Sequence, residues 1–206
     1  MTEEEWFASN DPGAAGKAVC RKKRASARVL RLYMAAFWGW QANRLHTAEE
    51  RERLRARAAL VGRWAESGVR PPETIVPGIT LVFFNRSPRE GFLNTVSAPA
   101  GWDDSSPPTE RALWTLHEVF GNPFVPRRRK NEPPRGWAFD PNWRTDTAVL
   151  LARQMYDSGD FSAMPILADA LQDAGCNNDD ILAHCRKRPG EHVRGCWVLD
   201  LILRTK

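Results

Sequence analysis

Between residues 29 and 40 the chain places apolar side chains on nearly every side of a helix: Val29, Leu30, Leu32, Tyr33, Met34, Phe37, Trp38 and Trp40. A surface helix carries one apolar stripe, so an all-round pattern predicts a central, buried helix. It is expected as the second half of a long helix over residues 17–43 whose first half is polar. Thr47 and Glu50 have capping-box spacing and open a further helix with an apolar stripe of Leu54, Ala58, Val61 and Trp64, closed at Gly68. Thr2 and Glu5 repeat the box ahead of a short helix carrying Trp6 and Phe7.

The last third is periodic as well. Helices are expected over residues 146–158, 163–174, 179–188 and 191–203, separated by Gly159, Gly175 and the pair Pro189-Gly190. The middle reads differently. Twelve of the fifteen prolines fall between Pro71 and Pro141, and proline neither donates a backbone hydrogen bond nor fits a helix interior. Residues 79–84 are β-branched and aromatic and read as a strand, with residues 92–96 expected to pair with it as a hairpin. A helix over residues 109–120 follows, then a long loop over residues 122–142. The fold class is therefore mainly α: a helical bundle with a small β-hairpin or irregular proline-rich insertion in the middle. The organisation expected is a basic helical segment over 1–70, the insertion over 71–142, and a C-terminal helical segment over 143–206 that joins the first in one domain.

Composition narrows the class. The chain has 206 residues, 42% hydrophobic and 27% charged, which suits a folded domain with its own core. No apolar run approaches the ~18–20 residues of a membrane span, and the acidic start lacks an apolar signal core. Four cysteines without a signal segment read as reduced thiols, so a cytoplasmic location and no membrane partner are expected.

Charge adds one feature. The net +5 is concentrated at the front, where residues 1–70 hold 14 basic and 8 acidic groups, net +6. Arg21, Arg24, Arg28 and Arg31 share one face of the expected long helix, and Arg127, Arg128, Arg129 and Lys130 form a second basic cluster. Such groups can track a phosphate backbone. The chain is also rich in tryptophan, with nine. Trp102, Trp137 and Trp143 fall in expected loops, where exposed indoles anchor protein interfaces.

The remaining chemistry is C-terminal. Cys176, Cys185, His192 and Cys196 are the candidate zinc set, with His192 and Cys196 four apart on one helix face. The set lacks a Cys-x2-Cys knuckle, and buried cysteines commonly act as small hydrophobic groups. His184 and Cys185 are neighbours and would point about 100° apart on a helix, so they do not pair directly. There is no phosphate-binding glycine loop, nucleophile elbow or His-Glu-x-x-His helix, and no catalytic residue is assigned.

Several segments resemble one uncharacterised bacterial family. They are Met1-Thr-Glu-Glu-Glu-Trp6, Asp11-Pro12, Arg28-Val-Leu-Arg-Leu-Tyr-Met-Ala-Ala36, Phe120-Gly-Asn-Pro-Phe124, Met164-Pro-Ile-Leu-Ala-Asp-Ala-Leu171, Ile181-Leu-Ala-His-Cys-Arg186 and His192-Val-Arg-Gly-Cys-Trp-Val-Leu-Asp200. The resemblance covers both ends and departs in the middle, around Arg127 to Lys130. It implies no activity and no site residues. The leading expectation is a non-enzymatic protein-interaction module without a cofactor. The alternatives are a nucleic-acid-binding protein using the arginines, and a zinc-dependent or thiol enzyme using the C-terminal cluster.

Overall fold

The computed structural model describes residues 1–21, 25–71, 87–97, 108–124, 139–187 and 192–204. Among these the chain is mainly α, with ten α-helices and no strand. It divides into two compact units, Met1–Pro123 and Phe124–Lys206. Among the described residues no helix is long and apolar enough to cross a membrane.

The first unit holds α1 (Glu3–Phe7), α2 (Pro12–Arg21), α3 (Ala27–Ala42), α4 (Ala48–Ser67), α5 (Pro88–Ser97) and α6 (Pro108–Phe120). Both expected N-caps form. The Thr2 hydroxyl accepts from the Glu5 N–H at 3.2 Å, and that of Thr47 from the Glu50 N–H at 3.2 Å. Gly68 closes α4 in the left-handed conformation, φ 69°, which glycine reaches without a side-chain clash.

The helix expected over 17–43 is two helices. Ser26 stands in extended backbone and its hydroxyl accepts from the Val29 N–H at 3.3 Å. That bond satisfies an orphan donor of a new helix, so α3 starts there instead of continuing α2. As the all-round pattern requires, α3 is central: it packs against α4, α5 and α6, with Leu32, Tyr33 and Met34 fully buried.

The hairpin is not formed by residues 92–96. They lie within α5, and the partner strand expected at 79–84 is outside the described residues. The reason is a helix start. The Ser87 hydroxyl accepts from the Arg89 N–H at 3.2 Å, Pro88 takes the first turn, and Glu90 adds an acidic group there. Phe92 and Val96, four apart, then share one buried face. Their face meets α2 at Gly16, where an added Cβ would stand 2.7 Å from Val96 Cγ2 and 3.3 Å from Phe92 Cε1. Only a residue without Cβ allows that approach of helix to side chains.

α3 and α4 run antiparallel and exchange reciprocal pairs. The Arg31 guanidinium lies 3.8 Å from the Trp64 ring centroid, and that of Arg57 lies 4.2 Å from Trp38. Each helix thus carries an arginine and a tryptophan seven residues apart, two helical turns, and each arginine meets the other helix's indole. Burial holds both guanidinium groups below their ordinary pKa, and the indole faces offset part of that desolvation electrostatically. Lysine would not replace them, because the flat guanidinium stacks and the ammonium does not.

The second unit holds a 3-10 turn, Pro141–Trp143, then α7 (Asp146–Ser158), α8 (Met164–Asp173), α9 (Asp179–Cys185) and α10 (Trp197–Leu203). Thr145 caps α7, accepting from the Ala148 N–H at 3.2 Å, and Gly159 ends it at φ 73°. The Asn178 Oδ1 accepts from the Asp180 and Ile181 N–H groups at 3.1 and 3.2 Å and opens α9. One core joins the four helices around Met155, Met164, Leu167, Leu171, Ile181 and Leu199. Trp143 belongs to this core. It is 8% exposed and meets the Phe139 ring edge-on at 5.5 Å, so the anchor role expected from its loop position is not open to it.

The helix expected over 191–203 begins only at Trp197. A turn replaces its first part: the Cys196 N–H donates to the Val193 carbonyl at 3.0 Å, and Gly195 adopts φ 97°, outside the helical region. Arg194 ties this turn to the end of α7, donating to the Tyr156 and Asp157 carbonyls at 3.0 Å each. Those carbonyls lie in the last turn of α7 and have no helical partner ahead of them.

Candidate metal centre

The tethered turn and α9 bring three donor side chains together. His184 lies on α9, one residue before its end, where it is set by the Asn178 cap. His192 and Cys196 flank the turn, and Cys196 is the N-cap of α10. One ligand atom from each of His184, His192 and Cys196 lies within 4.8 Å of those of the other two. The three are buried, at 5%, 4% and 0% exposure.

The contacts inside the group are specific. His184 Nε2 is 3.1 Å from Cys196 Sγ. On the ring's other side, the Trp197 indole Nε1–H donates to His184 Nδ1 at 3.1 Å. The imidazole of His192 meets that of His184 at 5.1 Å between centroids, at 63°, and Phe161 stands behind it at 6.4 Å.

Indole is a donor only, and a neutral imidazole has one N–H and one lone pair. Because Nδ1 accepts from Trp197, the ring proton sits on Nε2 and points at the Cys196 sulfur. In that tautomer the His184 lone pair faces the indole and not the Cys196 sulfur. A tetrahedral zinc ion, with Zn–S near ~2.3 Å and Zn–N near ~2.0–2.1 Å, holds its donors roughly 3.3–3.6 Å apart. The His184–Cys196 separation of 3.1 Å is close to this.

The group differs from the set expected from spacing. His192 and Cys196 are in it, brought together by a turn where a shared helix face was expected. Cys176 and Cys185 are not; His184 stands in their place. Cys176 is buried and that burial pushes its thiol pKa up. None of the four cysteines is in a disulfide among the described residues. His184 and Trp197 were missed because His184 was weighed against its neighbour Cys185. The pairing that forms spans twelve residues, from the end of α9 to the start of α10, beyond the reach of local spacing.

The basic residues are dispersed. Arg21 is exposed at the end of α2, whereas Arg28 and Arg31 belong to α3, a separate helix. Arg28 is 3.5 Å from the Glu66 carboxylate and Arg31 stacks on Trp64. The shared stripe therefore does not exist as one helix face, and two of its members serve the α3–α4 contact. Arg24, Arg127, Arg128, Arg129, Lys130, Trp102 and Trp137 lie outside the described residues.

The fold and site define a class, a mainly α protein whose second unit carries a buried His2Cys group. No protein-family model, curated protein or solved structure matches the chain.

Proposed function

We propose that the protein binds one transition-metal ion of the zinc class in its second unit, through His184, His192 and Cys196. The single supporting observation is the convergence of three buried donors within 4.8 Å. Imidazole and thiolate are the donors zinc prefers. The depth of the ligands suits an ion that braces α9 against α10 more than one that meets a substrate, so the reading is non-enzymatic, in a reducing cytoplasm. The test is zinc titration of metal-free protein, followed by cobalt substitution. Stoichiometric zinc and a cobalt–thiolate absorption band are expected, and Cys196→Ser should weaken binding by on the order of a hundredfold or more. Cys176→Ser should leave it unchanged. Absence of both zinc uptake and the cobalt band in the unaltered protein sinks the proposal.

A second reading, association with another protein, has its own observation. Leu150 on α7 and Ile166 on α8 are 68% and 59% exposed. Large aliphatic groups in water favour burial against a partner. Replacing both by glutamate should abolish nuclease-resistant recovery of a protein partner without lowering stability. An unchanged set of recovered proteins refutes this reading.

A further inference from the structure

We infer that Trp197 holds the metal-free form of this site and competes with the ion for His184. The inference rests on the metal-binding reading above. In the neutral imidazole of His184 the one lone pair, on Nδ1, accepts the Trp197 N–H at 3.1 Å. A metal therefore reaches either nitrogen only at the cost of that bond. Binding at Nδ1 takes the lone pair directly. Binding at Nε2, the nitrogen 3.1 Å from Cys196 Sγ, moves the ring proton to Nδ1 and sets two N–H donors face to face. A metal-bound histidine ordinarily offers its second N–H to an acceptor such as a carboxylate or carbonyl; here that position holds a donor.

The indole cannot turn away without consequence. Trp197 is buried, is the first residue of α10, and stacks edge-on against His184 at 5.0 Å. Its neighbour Cys196 is both the helix N-cap and the thiol ligand. The site thus has two arrangements of one set of atoms. Without metal, indole, imidazole and sulfur form a hydrogen-bonded chain. With metal, three ligands converge and the indole N–H is released. Metal occupancy is then read out at the start of α10, and the indole makes the site exchangeable where an acceptor would make it permanent.

The experiment measures zinc affinity of the full chain and of Trp197→Phe, together with the nitrogen resonances of His184 in the metal-free protein. Phenylalanine keeps an aromatic ring and removes the opposing donor. Trp197→Phe is expected to bind zinc about tenfold tighter or more, the effect of one opposed hydrogen bond. The unaltered metal-free protein is expected to show His184 protonated at Nε2, and its Trp197 indole N–H is expected to lose its hydrogen-bonded shift when zinc is added. Equal or weaker zinc binding by folded Trp197→Phe overturns the inference and leaves the metal site standing. So does a His184 protonated at Nδ1. No zinc binding by either protein overturns the metal reading itself. Should Trp197→Phe fail to fold, the indole N–H shift in the unaltered protein decides the matter: a shift unchanged by bound zinc refutes the inference.

Discussion

Zinc at about a hundred times its dissociation constant should raise the melting temperature of the second unit by on the order of 10–20 °C. A ligand that binds only the folded state adds RT ln(1 + [L]/Kd), about 2.7 kcal/mol at that ratio. For a domain of 60–100 residues, 1 kcal/mol moves the midpoint by roughly 4–8 °C, and the unit spans Phe124–Lys206. The gain should fall on α9 and α10, whose packing on one another passes through His184, Cys196 and Trp197. Cys196→Ser should erase the shift. Serine replaces a thiolate ligand, and its hydroxyl stays protonated near neutral pH. The measurement is calorimetry of metal-free protein with and without zinc, with magnesium as control. A shift that magnesium reproduces, or that survives Cys196→Ser, places the stabilisation elsewhere.

That expectation depends on atoms whose proximity the sequence only half discloses. Where a local signal is complete, the helix ends are legible. α7 has the bounds read for it, 146–158 before Gly159, because a left-handed glycine and a cap hydroxyl such as that of Thr145 act within four residues of themselves. Ser87, Pro88 and Glu90 carried an equally local helix start, but the aromatic and β-branched content of residues 92–96 outweighed it. Phe92 and Val96 are spaced for a helix face, and that spacing was the better guide.

The site was legible as a concentration of cysteine and histidine and illegible as a geometry. His192 and Cys196 converge, but through the turn at Gly195, whose positive φ breaks the helix that the spacing assumed. His184 joins them from α9, twelve residues before Cys196, a separation that no periodicity encodes. Loop position was likewise a poor guide to exposure. Trp143 sits in a 3-10 turn and still belongs to the core, since an indole loses too much by standing in water when Phe139 is available to cover it. The arginines illustrate the same limit. A charge on a polar face is usually solvated, and only the opposing indole at a seven-residue offset on the neighbouring helix shows why Arg31 and Arg57 turn inward.

Tyr33→Ala should destabilise the first unit by about 3–5 kcal/mol, the range for truncating a buried aromatic side chain. Tyr33 is fully buried at the middle of the central helix. Its ring stacks on Phe37 at 6.0 Å, receives Phe92 of α5 edge-on at 5.0 Å, and lies 6.4 Å from Phe120 at the end of α6. Removing it opens a cavity among three helices and cancels aromatic pairs worth about 0.5–1.5 kcal/mol each beyond area burial. Small domains hold only about 5–15 kcal/mol in all, so this change consumes much of the margin. The hydroxyl contributes far less. It donates to the Ala112 carbonyl at 3.4 Å, long for an O–H···O bond, and that carbonyl lies inside α6 where a helical N–H also serves it. Burial raises the phenol above its ordinary pKa, so it stays neutral at working pH and no titration enters the comparison. Tyr33→Phe should therefore cost about 1 kcal/mol or less. Urea unfolding of the three proteins separates ring from hydroxyl. Equal losses for Tyr33→Phe and Tyr33→Ala would move the weight to the hydrogen bond, and a loss under about 1 kcal/mol for Tyr33→Ala would remove the ring as the hub of α3, α5 and α6.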